Sequence, residues 1–78
     1  MSPADLQTLL AEKLDTCQVT VENDGHTYHI TVIGEAFEGL NAVKRQQFVY
    51  GALNEKIADG SVHAVSIKTY TPAQWAAQ

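Results

Sequence analysis

Two short runs of alternating apolar and polar residues, separated by a turn sequence, constrain the possible folds of this chain more than any other feature. The first run, Thr16 to Glu22, places Val19 and Val21 on the same face of a strand, and the second extends from Tyr28 to Ile33. Between them, Asn23-Asp24-Gly25 contains residues that tolerate positive φ. The pattern predicts two antiparallel, half-buried strands, so other elements must cover one face.

The rest of the chain predicts three helices and a third strand. They are a first helix starting at Ser2-Pro3-Ala4-Asp5 and ending near Leu14 or Asp15, a helix from about Leu40 to Ala58, a strand from Val62 to Tyr70, and a short helix from Thr71-Pro72 through Trp75. A helical crossover makes the second and third strands parallel if they are neighbours. We therefore expect a single α/β domain over 1–78, in the order α-β-β-α-β-α, with a small three-stranded mixed sheet and helices mainly on one face.

Helical spacing also predicts which side chains face the core. In the first helix they are Leu6, Leu9, Leu10 and Leu14, and in the second Ala42, Val49, Leu53 and Ile57. Cys17 shares strand parity with Val19 and Val21, so we expect it to pack in the core as a small hydrophobic residue.

Charge and composition narrow the classes of function and the compartment. Five Lys and Arg residues against nine Asp and Glu residues give a formal net charge of -4, whereas nucleic-acid-binding domains normally carry a basic surface. The sequence contains no apolar run of about 20 residues and no basic leader, so no membrane interaction and a cytoplasmic location are expected. A single cysteine cannot form an internal disulfide, which also suits a reducing compartment.

Three histidines are the residues best suited to chemistry: His26 in the predicted turn, His29 on the second strand and His63 at the opening of the third. Neutral imidazole binds borderline metals, and one or two surface ligands could complete a site whose thiolates come from a partner. On spacing alone, a surface or hydrogen-bonded histidine is the commoner case. Ser61 precedes His63 by two residues without an evident third orienting group, so no catalytic residue is assigned.

Longer stretches of the sequence resemble the BolA family, and within it the bacterial branch called IbaG or YrbA. The residues that carry the resemblance are Val43-Lys44-Arg45-Gln46-Gln47-Phe48-Val49-Tyr50-Gly51, then Ile57-Ala58-Asp59, and then the run from Val62-His63-Ala64-Val65-Ser66-Ile67-Lys68 through Tyr70-Thr71-Pro72 to Trp75. The most specific part is the run that begins at Val62. The likeness covers nearly the whole chain.

The resemblance implies a fold like that of class II KH domains and a non-enzymatic partner of monothiol glutaredoxins. Such a pair shares a 2Fe-2S cluster, held on one side by the glutaredoxin cysteine and glutathione. The invariant histidine of the family falls on His63, and a variable loop position makes His26 the best candidate for the second ligand, with His29 as the fallback. Cys17 does not match the cysteine of the branch that uses a loop cysteine. The resemblance further implies a role in iron homeostasis or cluster trafficking, and we expect a chain that is monomeric alone, without a cofactor, and heterodimeric with its partner.

Two alternative functions follow from other residues. Lys44 and Arg45 form a short basic turn that could contact phosphates or the partner, which would suit a DNA-binding transcriptional regulator. The founding branch of the family has an Arg-His-Arg pattern in this helix where the present chain has Lys44-Arg45-Gln46-Gln47, and the acidic net charge also disfavours DNA. A small hydrolase that depends on His63 is the third hypothesis.

Overall fold

A computed structural model describes all residues, 1–78, and contains one three-stranded sheet. The strands are β1 (Gln18–Asn23), β2 (Tyr28–Ile33) and β3 (Val65–Tyr70), in the spatial order β1-β2-β3. β1 pairs with β2 antiparallel, and β2 pairs with β3 parallel. The mixed sheet, the predicted hairpin and the parallel third strand are therefore confirmed.

Three α-helices complete the fold: α1 (Pro3–Lys13), α2 (Ala42–Ala58) and α3 (Pro72–Ala76), with a short 3-10 turn at Glu35–Phe37 before α2. Each α-helix begins with a side-chain cap. Ser2 accepts from the Asp5 N–H, Asn41 accepts from the Lys44 N–H, and Thr71 forms a capping box with Gln74. Such caps satisfy amide groups that have no partner inside the helix.

The core lies on one face of the sheet, where α1 and α2 pack. It consists of Leu6, Leu10 and Leu14 from the α1 segment, Val21, Ile30 and Val32 from the strands, Val49, Ala52 and Leu53 from α2, and Phe37 and Val62 from the connecting segments. The expectation that Ala42 and Ile57 face the core was wrong. Ala42 is exposed and Ile57 is 38% exposed, because the buried side of α2 is formed by Val49, Ala52 and Leu53.

Several boundaries differ from the predicted ones by two or three residues. β1 begins at Gln18 instead of Thr16, and α2 begins at Ala42 instead of Leu40 because Asn41 caps it. β3 begins at Val65 instead of Val62. Val62 is instead buried against the end of α2, where its N–H donates to the Lys56 carbonyl at 3.1 Å, so the chain reaches the sheet only after this contact.

The other face of the sheet carries mainly polar side chains and is largely free of helices. α3 contacts it through Trp75, whose ring lies 5.2 Å from that of Tyr70 in an edge-to-face contact. This arrangement confirms that the helices pack mainly on one face. No helix of the fold has both the length and the apolar character that a bilayer crossing requires.

Cys17 and Gly34 form a close contact at the end of the sheet where β1 begins and β2 ends. Cys17 is half buried and packs against the core, as expected. A Cβ atom on Gly34 would overlap the Cys17 Sγ atom and lie 3.3 Å from the Cys17 Cβ. A larger residue at position 34 therefore requires the Cys17 side chain or the backbone to move.

Gly34→Ala is expected to lower the free energy of unfolding by about 1–3 kcal/mol, because the added methyl group overpacks this contact. Urea unfolding followed by circular dichroism measures the change. Combining it with Cys17→Ala removes the sulfur atom and should recover part of the loss.

Gly51→Ala is the matched control for this prediction. Gly51 lies in α2 with no atom within 4 Å of where a Cβ would be. Alanine there should raise the free energy of unfolding by about 0.5–1 kcal/mol, because it favours the helix. A Gly34→Ala protein as stable as wild type would contradict the assigned contact.

Candidate functional site

The parallel pairing of β2 with β3 brings two of the predicted site residues to the same end of the sheet. Tyr28 pairs with Val65, and the Tyr28 N–H donates to the Ala64 carbonyl at 2.9 Å. His26 lies two residues before Tyr28, and His63 lies two residues before Val65. We call this end of the sheet, formed by residues 24–27 and 59–64, the histidine edge.

Both histidines of this edge are exposed to solvent. The Cε1 atom of His63 lies 3.9 Å from the position that a Cβ on Gly60 would occupy, so its ring rests beside the turn that ends α2. Neither ring makes a hydrogen bond to another part of the chain. Their ring nitrogens are therefore free for an external ligand or metal.

The hairpin turn that carries His26 is organised by Asp24. Its Oδ1 atom accepts the N–H groups of His26, at 3.0 Å, and Thr27, at 2.8 Å. Gly25 adopts a φ of +99° in the same turn, a conformation that favours glycine. The backbone around His26 is thus held by a side chain on its own loop.

His29 is the fallback ligand, and it lies in a different environment. It points to the side of the sheet opposite the core, since its neighbours Ile30 and Val32 define the buried parity of β2. Its Nε2 atom is 2.9 Å from Asp24 Oδ2. Of these two histidines, His26 is therefore the one at the same end of the sheet as His63 whose ring makes no hydrogen bond within the chain.

The same contacts keep the Asp24 carboxylate charged. The hydrogen bond from His29, together with the N–H groups of Thr27 and His26, holds the pKa of Asp24 well below its usual range. Because the pKa is lowered in the fold, the carboxylate persists as the pH falls through the usual aspartate range, and the turn keeps its acceptor there.

The loop that carries His63 is held by a second aspartate. Asp59 ends α2, and its Oδ1 atom accepts the Ser61 N–H at 2.8 Å. The hydroxyl and N–H groups of Ser61 lower the pKa of the Asp59 carboxyl. No hydrogen bond joins Ser61 to His63, so the geometry lacks the contact that a serine-based hydrolase would need.

The donor set determines what this edge can hold. No group of three or more His, Cys, Asp and Glu side chains is placed to bind a metal ion. Cys17 lies near the opposite end of the sheet, since Gln18 pairs with Ile33 at the far end of β2. The chain can thus offer two imidazoles from the histidine edge, which fits a metal centre completed by ligands from another molecule.

Lys44 and Arg45 are not part of this edge, because they lie in the first turn of α2 and His63 follows its other end. The 17 residues of α2 span about 25 Å. Lys44 is exposed. The Arg45 guanidinium donates to the Leu40 carbonyl at 2.9 Å and to Gln74 Oε1 at 2.8 Å, and it lies 5.9 Å from the centre of the Phe37 ring.

Sequence reasoning missed the two aspartates that organise the edge. The signal was present, since Asp24-Gly25 and Asp59-Gly60 are both aspartate-glycine pairs, which favour turns closed by the aspartate side chain. By themselves the two pairs predict only a hairpin turn at Asp24-Gly25 and the end of a helix at Asp59-Gly60. Their relation to the histidines becomes visible once the strands are paired.

Comparison with known proteins places this geometry in a family. The family model described as "BolA-like protein" matches residues 10–74. The acid stress protein IbaG of Escherichia coli is 47% identical over 76 residues, which cover 97% of this chain and 90% of that protein.

Solved structures agree with the sequence matches. A BolA homologue from Coxiella burnetii superimposes with a TM-score of 0.84 at 32% identity, covering 97% of both chains. BolA1 from Arabidopsis thaliana gives a TM-score of 0.75 at 28% identity, covering 92% of this chain and 93% of that one. Because the family model matches residues 10–74 of this chain and these relatives share its fold, this chain belongs to the BolA family.

Proposed function

We propose that this protein is a non-enzymatic adaptor that binds a monothiol glutaredoxin and shares a 2Fe-2S cluster with it, acting in iron homeostasis or cluster trafficking. The observation that carries the proposal is the pair of exposed imidazoles, His26 and His63, at one end of the sheet. Family membership supports it, because the resemblance aligns His63 with the family's invariant histidine.

The donor count explains why a partner is needed. A 2Fe-2S cluster takes four protein-type ligands, and the histidine edge supplies two. The thiolates of the glutaredoxin cysteine and of glutathione would supply the others. The chain alone is therefore expected to be a monomer without a cluster, and to form a heterodimer when the partner brings the thiolates.

Imidazole ligands also define what this chain contributes chemically. When histidine replaces cysteine on one iron of a 2Fe-2S cluster, the reduction potential rises, as in Rieske centres. His63 and His26 must be neutral at the ligating nitrogen, so ligation competes with protonation. Both rings are exposed, which allows proton exchange with solvent.

His63→Ala is expected to weaken the cluster-bound heterodimer by at least about tenfold, because a ligand is lost. The measurement is anaerobic reconstitution with a monothiol glutaredoxin, glutathione, ferrous iron and sulfide, followed by visible absorption and circular dichroism. His26→Ala should also change the spectrum, while His29→Ala should leave the cluster signal in place. The proposal fails if no heterodimer forms, or if its spectrum is the same with and without His63.

The alternative, a DNA-binding regulator, depends on Lys44 and Arg45 and has weaker support. Arg45 is already bonded to Leu40 and Gln74, which leaves Lys44 as the free basic group of this turn. The net charge of -4 opposes approach to a polyanion.

The two basic residues are expected to behave differently when replaced by alanine. Arg45→Ala should lower the free energy of unfolding by about 1–3 kcal/mol, because it removes hydrogen bonds from a charged donor. Lys44→Ala should change it by less than about 0.5 kcal/mol. Urea unfolding measures both. Binding to duplex DNA that weakens steeply as salt rises, and that Lys44→Ala reduces, would support the regulator function.

A further inference from the structure

The two loops of the histidine edge share one local design. Each begins with an aspartate-glycine pair, and each glycine has positive φ, +99° at Gly25 and +81° at Gly60. In each loop the aspartate Oδ1 atom accepts the N–H group two residues ahead, that of His26 at 3.0 Å and that of Ser61 at 2.8 Å. Two segments from different parts of the chain thus have the same hydrogen bond, from a backbone N–H to an aspartate side chain, near a histidine.

Further contacts tie the first loop to the fold. The second oxygen of Asp24 is held by His29, 2.9 Å away, so the carboxylate itself has a fixed orientation. Its backbone N–H donates to the Thr27 carbonyl at 3.3 Å, which closes the turn. His26 therefore projects from a backbone that is bonded on both sides.

The second loop is anchored by the core. The Asp59 N–H donates to the Glu55 carbonyl at 3.0 Å, and the Val62 side chain, 1% exposed, is inserted beneath the loop immediately before His63. The Tyr28 N–H then donates to the Ala64 carbonyl, which joins the second loop to the first residue of β2, directly after the first loop. Both histidines are exposed while the backbones that carry them are constrained.

We propose that Asp24 and Asp59 are positioning residues of the histidine edge, each fixing the backbone of the loop that presents one histidine to the shared cluster. This inference rests on the proposed function. Its physical basis is preorganisation, since loops ordered before binding do not lose that conformational freedom when the partner arrives. Both carboxylates act through the backbone and do not ligate.

Replacing each aspartate by asparagine distinguishes this positioning role from an effect of the negative charge. Asp24→Asn and Asp59→Asn keep an Oδ1 acceptor for the loop N–H groups, whereas Asp24→Ala and Asp59→Ala remove it. Asp15→Ala is the matched control, because Asp15 is an exposed aspartate outside the histidine edge that makes no hydrogen bond through its side chain. All five variants lose one negative charge.

The first readout uses the free protein and does not depend on the cluster. In the alanine variants, amide hydrogen exchange at His26 and Thr27, or at Ser61, should become faster by about tenfold. The asparagine variants and Asp15→Ala should exchange like wild type. Unchanged exchange in the alanine variants would overturn the proposal.

The second readout is the anaerobic reconstitution with a monothiol glutaredoxin, glutathione, ferrous iron and sulfide. Each alanine variant is expected to weaken the cluster-bound heterodimer by about tenfold or more, with recovery in the matching asparagine variant. If wild type forms the heterodimer and the alanine variants form it equally well, the positioning role is wrong while the adaptor function stands. If wild type forms no heterodimer, the adaptor function fails and the positioning role fails with it.

Discussion

The parallel pairing of β2 with β3 is the interaction on which the rest of this structure depends. It requires a crossover, which α2 provides, and α2 in turn covers the apolar face of the sheet with Val49, Ala52 and Leu53. Because the register sets Tyr28 opposite Val65, the segments that precede both strands must meet at one edge. A shift of one residue would move the polar side chains of β3 into the core.

The fold separates the residues that stabilise it from those available for binding. The buried side chains lie between the sheet and the two long helices, and the tight contact of Cys17 with Gly34 is at the end of the sheet opposite the histidines. At the histidine edge, hydrogen bonds to Asp24 and Asp59 and the buried Val62 side chain hold the two loops, while the histidine rings stay exposed. The rings of His26 and His63 can therefore engage a partner without any core contact being broken.

Local patterns predicted most of the fold, while the site required information that local patterns do not contain. β2 and the end of α2 at Ala58 match their predicted bounds, because period-two alternation and an Asp-Gly stop are strong local signals. The start of β3 was wrong, because burial of Val62 is a tertiary effect. Spacing alone left the histidines equivalent, and only the family resemblance singled out His63. The proximity of the two loops follows from a pairing between residues 37 positions apart, which no local pattern encodes.

The imidazole donors that we propose are consistent with the charge around them. Asp24 and Asp59 remain ionised through their hydrogen bonds, so each loop of the histidine edge already carries a carboxylate. A thiolate ligand would add a negative charge beside them, whereas a neutral imidazole adds none. Aspartates that order the loops through their backbones are therefore compatible with the histidine ligands that we propose. On this argument, the two aspartates that would position His26 and His63 are compatible with neutral ligands from this chain in the proposed shared centre.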